Sequence, residues 1–295
     1  MSIKCSPPEG VSYTNIRGEP SMVTVQDLRG KESSVNLDHD SIHIVQGQIL
    51  ANVPGATKVH IFRHGIRYTN NFPVPYNPPA LIAHLDHTGA AVVDRVRYHL
   101  HEEEAEKLLQ GHYRVIHFWQ CLNGTVYTCP LAIASSATVK DKDIVTMVSH
   151  LKDLSEDFGA PINRDHQKWY YLFRVGADEA IMLQIFDSYG SKPGSGVKGG
   201  RAVHVAFKDP RTPPNAPYRW SIETSALVFG PWVLFSPIRK DNFSGENKIK
   251  TRRVPVHYVS TSGIANFTRS STFAEVSAAS VLPPTDGSQL HLSSK

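Results

Sequence analysis

"LIAHLDHTGA", residues 81–90, alternates apolar and polar side chains before stopping at a Thr-Gly. On a strand, side chains at i and i+2 share a face. His84 and Asp86 therefore project to the same side, where an imidazole nitrogen and a carboxylate oxygen can meet one metal ion. That reading requires residues 81–86 to be extended, and it sets the question for the rest of the chain: whether β structure surrounds this pair.

From about residue 43 to 235, short runs rich in Val, Ile, Tyr, Phe and Thr recur between turn signals. They include "IHIVQGQIL", "KVHIFRHGIRY", "YRVIHFWQCL", "VYTCPLAIA", "KWYYLFRV", "AIMLQIFDS", "AVHVAFKD" and "SIETSALVFG". Several alternate with period two, which predicts a mainly β core. Between them, "AAVVDRVRYHLHEEEAEKLLQGH" carries Val92, Val93, Val96, Leu100, Leu108 and Leu109 at roughly helical spacing, with Gly111 as a stop. This predicts one or two helices packed outside the sheet.

A third ligand has to come from elsewhere. His204 in "RAVHVAFKDP" lies on another alternating run near the end of the β region. Two histidines and one carboxylate leave open positions on iron, the set used by non-haem Fe(II) oxygenases. Zinc is more often tetrahedral. Arg219 opens the next strand, where a guanidinium can grip a carboxylate through paired hydrogen bonds. A rival cluster, Asp38, His39, Asp40 and His43, needs a helix to converge on one metal, yet "SIHIV" reads as a strand. Solvated loop residues are the reading there. His60, His64, His87 and His117 are read as packing, hydrogen-bonding or substrate-contacting residues.

The net charge of +4 over 295 residues is small, and Lys and Arg are scattered, so nucleic acid is not an expected partner. No stretch is apolar enough for a signal peptide or a membrane span. Cys5, Cys121 and Cys129 lack metal-type spacing. A reduced, cytoplasmic protein without structural disulfides is expected. The Gly-rich "SYGSKPGSGVKGGR" is expected to be a mobile loop acting as a lid.

Five pieces together carry a family resemblance: "AHLDHTGAAVVDRVRYHL" (83–100), "EEEAEKLLQGHYRVIHFWQCL" (102–122), "PLAIASSATV" (130–139), "HQKWYYLFRVGADEAIMLQIFDS" (166–188) and "VHVAFKDPRTPPNAPYRWSIE" (203–223). In order and spacing they resemble the cephamycin-methoxylase-accessory and gibberellin-desaturase-like family of secondary metabolism, which includes a fungal meroterpenoid endoperoxide-forming dioxygenase. The resemblance implies a double-stranded β-helix (jelly roll, cupin-like) with flanking helices. It also implies an Fe(II)- and 2-oxoglutarate-dependent dioxygenase acting on a terpenoid or meroterpenoid by hydroxylation, desaturation or endoperoxide formation. His84, Asp86 and His204 match the metal positions, and Arg219, Gln120 and Thr128 are the expected co-substrate contacts.

Gln120, Gln184 and Ser225 stand where family members often carry cations. An apolar small molecule, with O2, is accordingly the expected partner. Phe118, Trp119 and Phe207 are candidates for shaping its pocket, and Tyr170 or Tyr171 for contacting it.

A single domain is expected over 1–260, with residues 1–42 covering the barrel. The Ser/Ala/Thr-rich tail 261–295 is expected to be weakly ordered or docked on a neighbour, and a homodimer fits that arrangement. Two other classes stay open: a non-catalytic jelly-roll accessory partner of a biosynthetic enzyme, and a metal-dependent redox-neutral isomerase.

Overall fold

The computed structural model describes residues 18–46, 56–69, 77–150, 155–190, 192–198, 200–230 and 250–259. The tail 261–295 and residues 1–17 of the N-terminal segment lie outside the described residues. Twelve strands are described: β1 (Gly18–Asp27), β2 (Ile42–Gln46), β3 (Lys58–Tyr68), β4 (Tyr113–Cys121), β5 (Leu131–Ala134), β6 (Ile144–His150), β7 (Ser155–Pro161), β8 (Trp169–Tyr171), β9 (Glu179–Asp187), β10 (His204–Ala206), β11 (Trp220–Phe229) and β12 (Thr251–Val259). Three α-helices accompany them: α1 (Leu37–Asp40), α2 (Gly89–His99) and α3 (Glu102–Leu109).

The strands form two five-stranded sheets, ordered β10-β5-β8-β1-β12 and β2-β9-β4-β11-β3, with β6 and β7 as a separate hairpin. This is the mainly β jelly roll that the sequence led us to expect.

Alternation explains how the second sheet serves two environments. In β4, Val115, Trp119 and Cys121 join the main core, whereas Ile116 and Phe118 join a smaller cluster with Leu37 of α1. The pairs His117↔Ser225 and Trp119↔Glu223 put these four side chains on the inner face. Phe118, expected to shape a pocket, points outward instead.

The helical reading of 90–112 resolves into two helices. Thr88 caps α2 by accepting the Ala91 amide at 3.5 Å, and the helix buries Val92 and Val96. α3 buries Ala105, and its Glu104 pairs with Lys58 of β3.

Two expected strands are corrected. "LIAHLD" joins no ladder and makes only isolated bridges, Ile82 to His257, His84 to His204 and Leu85 to Gly159. "VYTCPLAIA" becomes a strand only at Leu131–Ala134, because Cys129 adopts a left-handed backbone at φ 46° and turns the chain.

Candidate metal centre

The 81–87 segment runs past the end of β10, and the two histidines meet there. Each backbone amide donates to the other residue's carbonyl, at 3.1 and 3.0 Å. His84 Nδ1 lies 2.8 Å from the Ile82 carbonyl and His204 Nδ1 lies 3.0 Å from that of Ala202. A carbonyl only accepts, so both Nδ1 atoms carry the proton and both Nε2 atoms present a lone pair.

Those lone pairs face Asp86. His84 Nε2 is 3.7 Å from Oδ1, and His204 Nε2 is 3.4 Å from Oδ2. One donor atom from each of the three residues lies within 4.8 Å of the others. Asp86 Oδ2 is buried and accepts no hydrogen bond among the described residues. Converging lone pairs without protons repel one another unless a cation sits among them, so the donor set fits a metal ion.

Electrostatics agree. Burial, with His204 alongside, pushes His84 down to about 4, leaving the imidazole neutral at neutral pH. Burial works against the Asp86 carboxylate, but His204, His84 and His117 hold its pKa well below the ordinary range. His87 is buried beside them and is pushed down to about 3 by desolvation.

Sequence reasoning did not place His117 and Glu223 at this centre. His117 Nδ1 is 3.4 Å from Asp86 Oδ2 and 3.6 Å from Glu223 Oε1, so Asp86, His117 and Glu223 form a second potential ligand group. The signal lay in the alternation of β4 and β11, where a His and a Glu share the apolar face; their pairing required the register between the strands.

Arg219 sits at the start of β11 and is 3% exposed. Its backbone amide donates to Thr69 Oγ1 at 2.8 Å and Thr128 Oγ1 at 3.1 Å, and its guanidinium bonds the Cys129 carbonyl. The guanidinium lies 5.4 Å above the Trp119 ring. Its Nε has no partner among the described residues, and burial pushes the group down to about 10, so it remains charged at neutral pH. Thr128 therefore holds Arg219 in place through the backbone.

Other expectations fall elsewhere. Gln120 alternates with Trp119 and faces outward, where its amide donates to the Ala177 carbonyl at 2.6 Å. This corrects its reading as a co-substrate contact. Gln184 also faces outward and donates to the Leu37 carbonyl, whereas Ser225 is inward. Tyr170 pairs with Ile133, which pairs with His204, so these three share a face. Tyr171 is on the other face and bonds Arg211 at 2.8 Å. The expected lid is tied to the outside of α1 through a Lys198 amide bond to the Asp38 carbonyl.

Comparison with known proteins places this geometry in a lineage. The chain is 53% identical to the hydroxylase/desaturase poxK of Penicillium oxalicum, over 78% of this chain and 85% of poxK. This chain belongs to the hydroxylase/desaturase family. A model described as YDMC, an oxidoreductase/YMDC permease-like domain, also matches residues 44–229. No helix among the described residues is long and apolar enough to cross a membrane.

A further relative is the Fe(II)/2-oxoglutarate-dependent dioxygenase nvfI of Aspergillus novofumigatus, 29% identical over 77% of this chain and 90% of nvfI. The solved structure of the iron and alpha-ketoglutarate-dependent endoperoxidase NvfI superposes with a TM-score of 0.69 at 27% identity, covering 77% of this chain and 93% of that one. With relatives so named, this chain is an enzyme of the iron- and 2-oxoglutarate-dependent dioxygenase class of fungal secondary metabolism, acting with O2 on a small molecule.

Proposed function

We propose that His84, Asp86 and His204 hold the Fe(II) and that Arg219 grips the far carboxylate of 2-oxoglutarate. The observation that carries this reading is the convergence of two Nε2 lone pairs on the Asp86 carboxylate, His84 toward Oδ1 and His204 toward Oδ2, the latter oxygen buried and without a hydrogen bond among the described residues. Bound iron, with 2-oxoglutarate and O2, supplies an oxidant able to take hydrogen from an unactivated carbon, with succinate and CO2 as co-products.

The chain's own groups do the positioning. The Ile82 and Ala202 carbonyls lock both imidazoles in the tautomer that binds metal. Arg219 approaches the centre from the β11 end; Glu223 lies four positions further along the strand, about 13 Å along the backbone. Two side chains and a five-carbon diacid bridge a gap of that size. Trp119 closes one side of this space, and its apolar surface excludes water.

The substrate in this proposal is an apolar small molecule of terpenoid or meroterpenoid type. The inner face offers Ser225, Trp119 and Ile133 beside the donors, with Tyr170 sharing the His204 face. Hydroxylation or desaturation is the reaction named for poxK, and endoperoxide formation that named for NvfI. We further propose one catalytic domain over residues 1–260, a homodimer, and a cytoplasmic location. Analytical ultracentrifugation tests the assembly.

Anaerobic addition of Fe(II) and then 2-oxoglutarate tests the assignment. A visible charge-transfer band is expected in the wild type and not in Asp86→Ala or His204→Ala. Absence of the band from folded wild-type protein would overturn the assignment. Succinate formed in step with product separates oxidation from isomerase or accessory roles.

A further inference from the structure

Arg219 is not the only cation on the inner face of the second sheet. Ser221, Glu223 and Ser225 alternate along β11, and β3 meets them in register with Arg67 opposite Ser221, Gly65 opposite Glu223 and Arg63 opposite Ser225. Residues paired across a sheet share a face. Arg63 and Arg67 therefore stand on the side of the metal donors, two positions either side of a glycine.

Arg67 is held in place. Its Nη1 donates to the Pro78 carbonyl at 3.0 Å. The preceding Asn77 fastens that segment to β3, its side-chain amide donating to the Ile66 carbonyl at 2.6 Å while its own carbonyl accepts the Tyr68 amide at 3.1 Å. The Pro78 bond leaves the Nε–Nη2 edge of the guanidinium for a pair of parallel bonds. Glu223, the acid in the adjacent row, faces His117 at 3.6 Å instead of pairing with Arg67. Ser221, across the sheet, is 1% exposed, and its hydroxyl has no partner among the described residues. Burial is the main reason the Arg219 pKa falls to about 10, and the charge of Arg67 lowers it further, so the two cations face one space.

That space is open at Gly65. A Cβ there would meet nothing nearer than the Glu223 carbonyl at 4.0 Å, which leaves a strip of the inner face of β3 uncovered between the two arginines. 2-Oxoglutarate does not account for it. Of its two carboxylates, one goes to the iron and the other to Arg219, and Arg67 is left to a different molecule.

We propose that the strip from Arg63 to Arg67 is the substrate-recognition face of the site: the apolar substrate lies over Gly65 and carries one planar, two-oxygen acidic group, of the carboxylate class, that the Nε–Nη2 edge of Arg67 grips. This rests on the iron and co-substrate assignment made above and narrows its substrate to an apolar monoanion. A fork already fixed by the Pro78 carbonyl loses little side-chain freedom on binding such a group.

Anaerobic calorimetry on enzyme loaded with Fe(II) and 2-oxoglutarate tests this with two probes, farnesoate and its methyl ester. The wild type should bind the acid about tenfold or more tighter than the ester. Arg67→Gln should bind the two alike, with the 2-oxoglutarate midpoint of the charge-transfer band kept. Arg67→Lys, which retains the charge without the fork, should recover part of the preference. Gly65→Leu, which fills the strip, should weaken acid and ester together.

Equal binding of acid and ester to the wild type would overturn the proposal, as would failure of both to bind or unchanged binding in Gly65→Leu. A raised 2-oxoglutarate midpoint in Arg67→Gln with the acid preference intact would overturn it in favour of a second co-substrate arginine. The band keeps the two readings apart. If the wild type shows none, the iron assignment fails and takes this inference with it; if the band appears without the acid preference, only this inference falls.

Discussion

At the scale of single residues, Arg219 carries the most specific chemistry. A guanidinium 3% exposed, stacked on Trp119 and without a carboxylate in ion-pairing reach among the described residues, is costly to bury. A bound dianion offsets that cost. Arg219→Lys should raise the half-saturating 2-oxoglutarate concentration by ~10- to 100-fold, the equivalent of losing a charged hydrogen bond of about 1.5–3 kcal/mol. Fe(II) retention should be unchanged, and equilibrium titration of each ligand checks the split. Arg219 was legible from its place before an apolar run. The inward course of Trp119 and the outward course of Gln120 were not, because adjacent strand residues are distinguished only by which sheet face is buried.

At the scale of elements, the β6–β7 hairpin clamps the segment that bears the donors. Leu85, between His84 and Asp86, exchanges both backbone hydrogen bonds with Gly159, at 2.8 and 2.7 Å. A Cβ on Gly159 would lie 2.8 Å from Ile144 Cγ2 and 3.1 Å from Leu85 Cβ, too close for both to stay. Gly159→Ala should destabilise the fold by about 1–3 kcal/mol and loosen Fe(II) several-fold, read by urea unfolding and by competition with a chelator. Equal iron retention would show that the clamp does not position the donors.

The same segment shows what element prediction can reach. β3, β4, β9 and β11 were readable because their alternation is sustained. "LIAHLD" was read as a strand, but its three bridges go to three different partners, a pattern that no local period encodes. β12, "TRRVPVHYV", went unread because its charges and proline suit a sheet edge, where it lies beside β1.

At the scale of the whole molecule, the two sheets are braced at one end by Arg29, just after β1, and Glu179, which opens β9. Glu179 accepts from Arg29 Nη2 at 2.8 Å, from the Gly176 amide at 2.8 Å and from Gln46 of β2 at 3.1 Å. The bonded Arg29 holds the Glu179 pKa below its ordinary value. A carboxyl depressed in the folded state stabilises above its unfolded pKa and loses that contribution as pH falls through the folded one. Glu179→Gln should therefore cost about 1–2 kcal/mol at pH 7, discounted for the partly exposed Arg29, and the difference should shrink in acid. Thermal unfolding at neutral and acid pH checks this; an equal gap at both would assign the effect to shape.

By itself the sequence determined the β class, the helical insert, and the His84–Asp86 pair, because these rest on local periods of two and 3.6 that survive without knowledge of any partner. Tertiary structure decided which of the 15 histidines face that pair, that Glu223 joins them, and that Gln120 and Gln184 do not. The reason is that side-chain direction across a sheet depends on register. Register here shifts at bulges, between Ser225 and Ala226 and between Val115 and Ile116, that are set by strands distant in sequence.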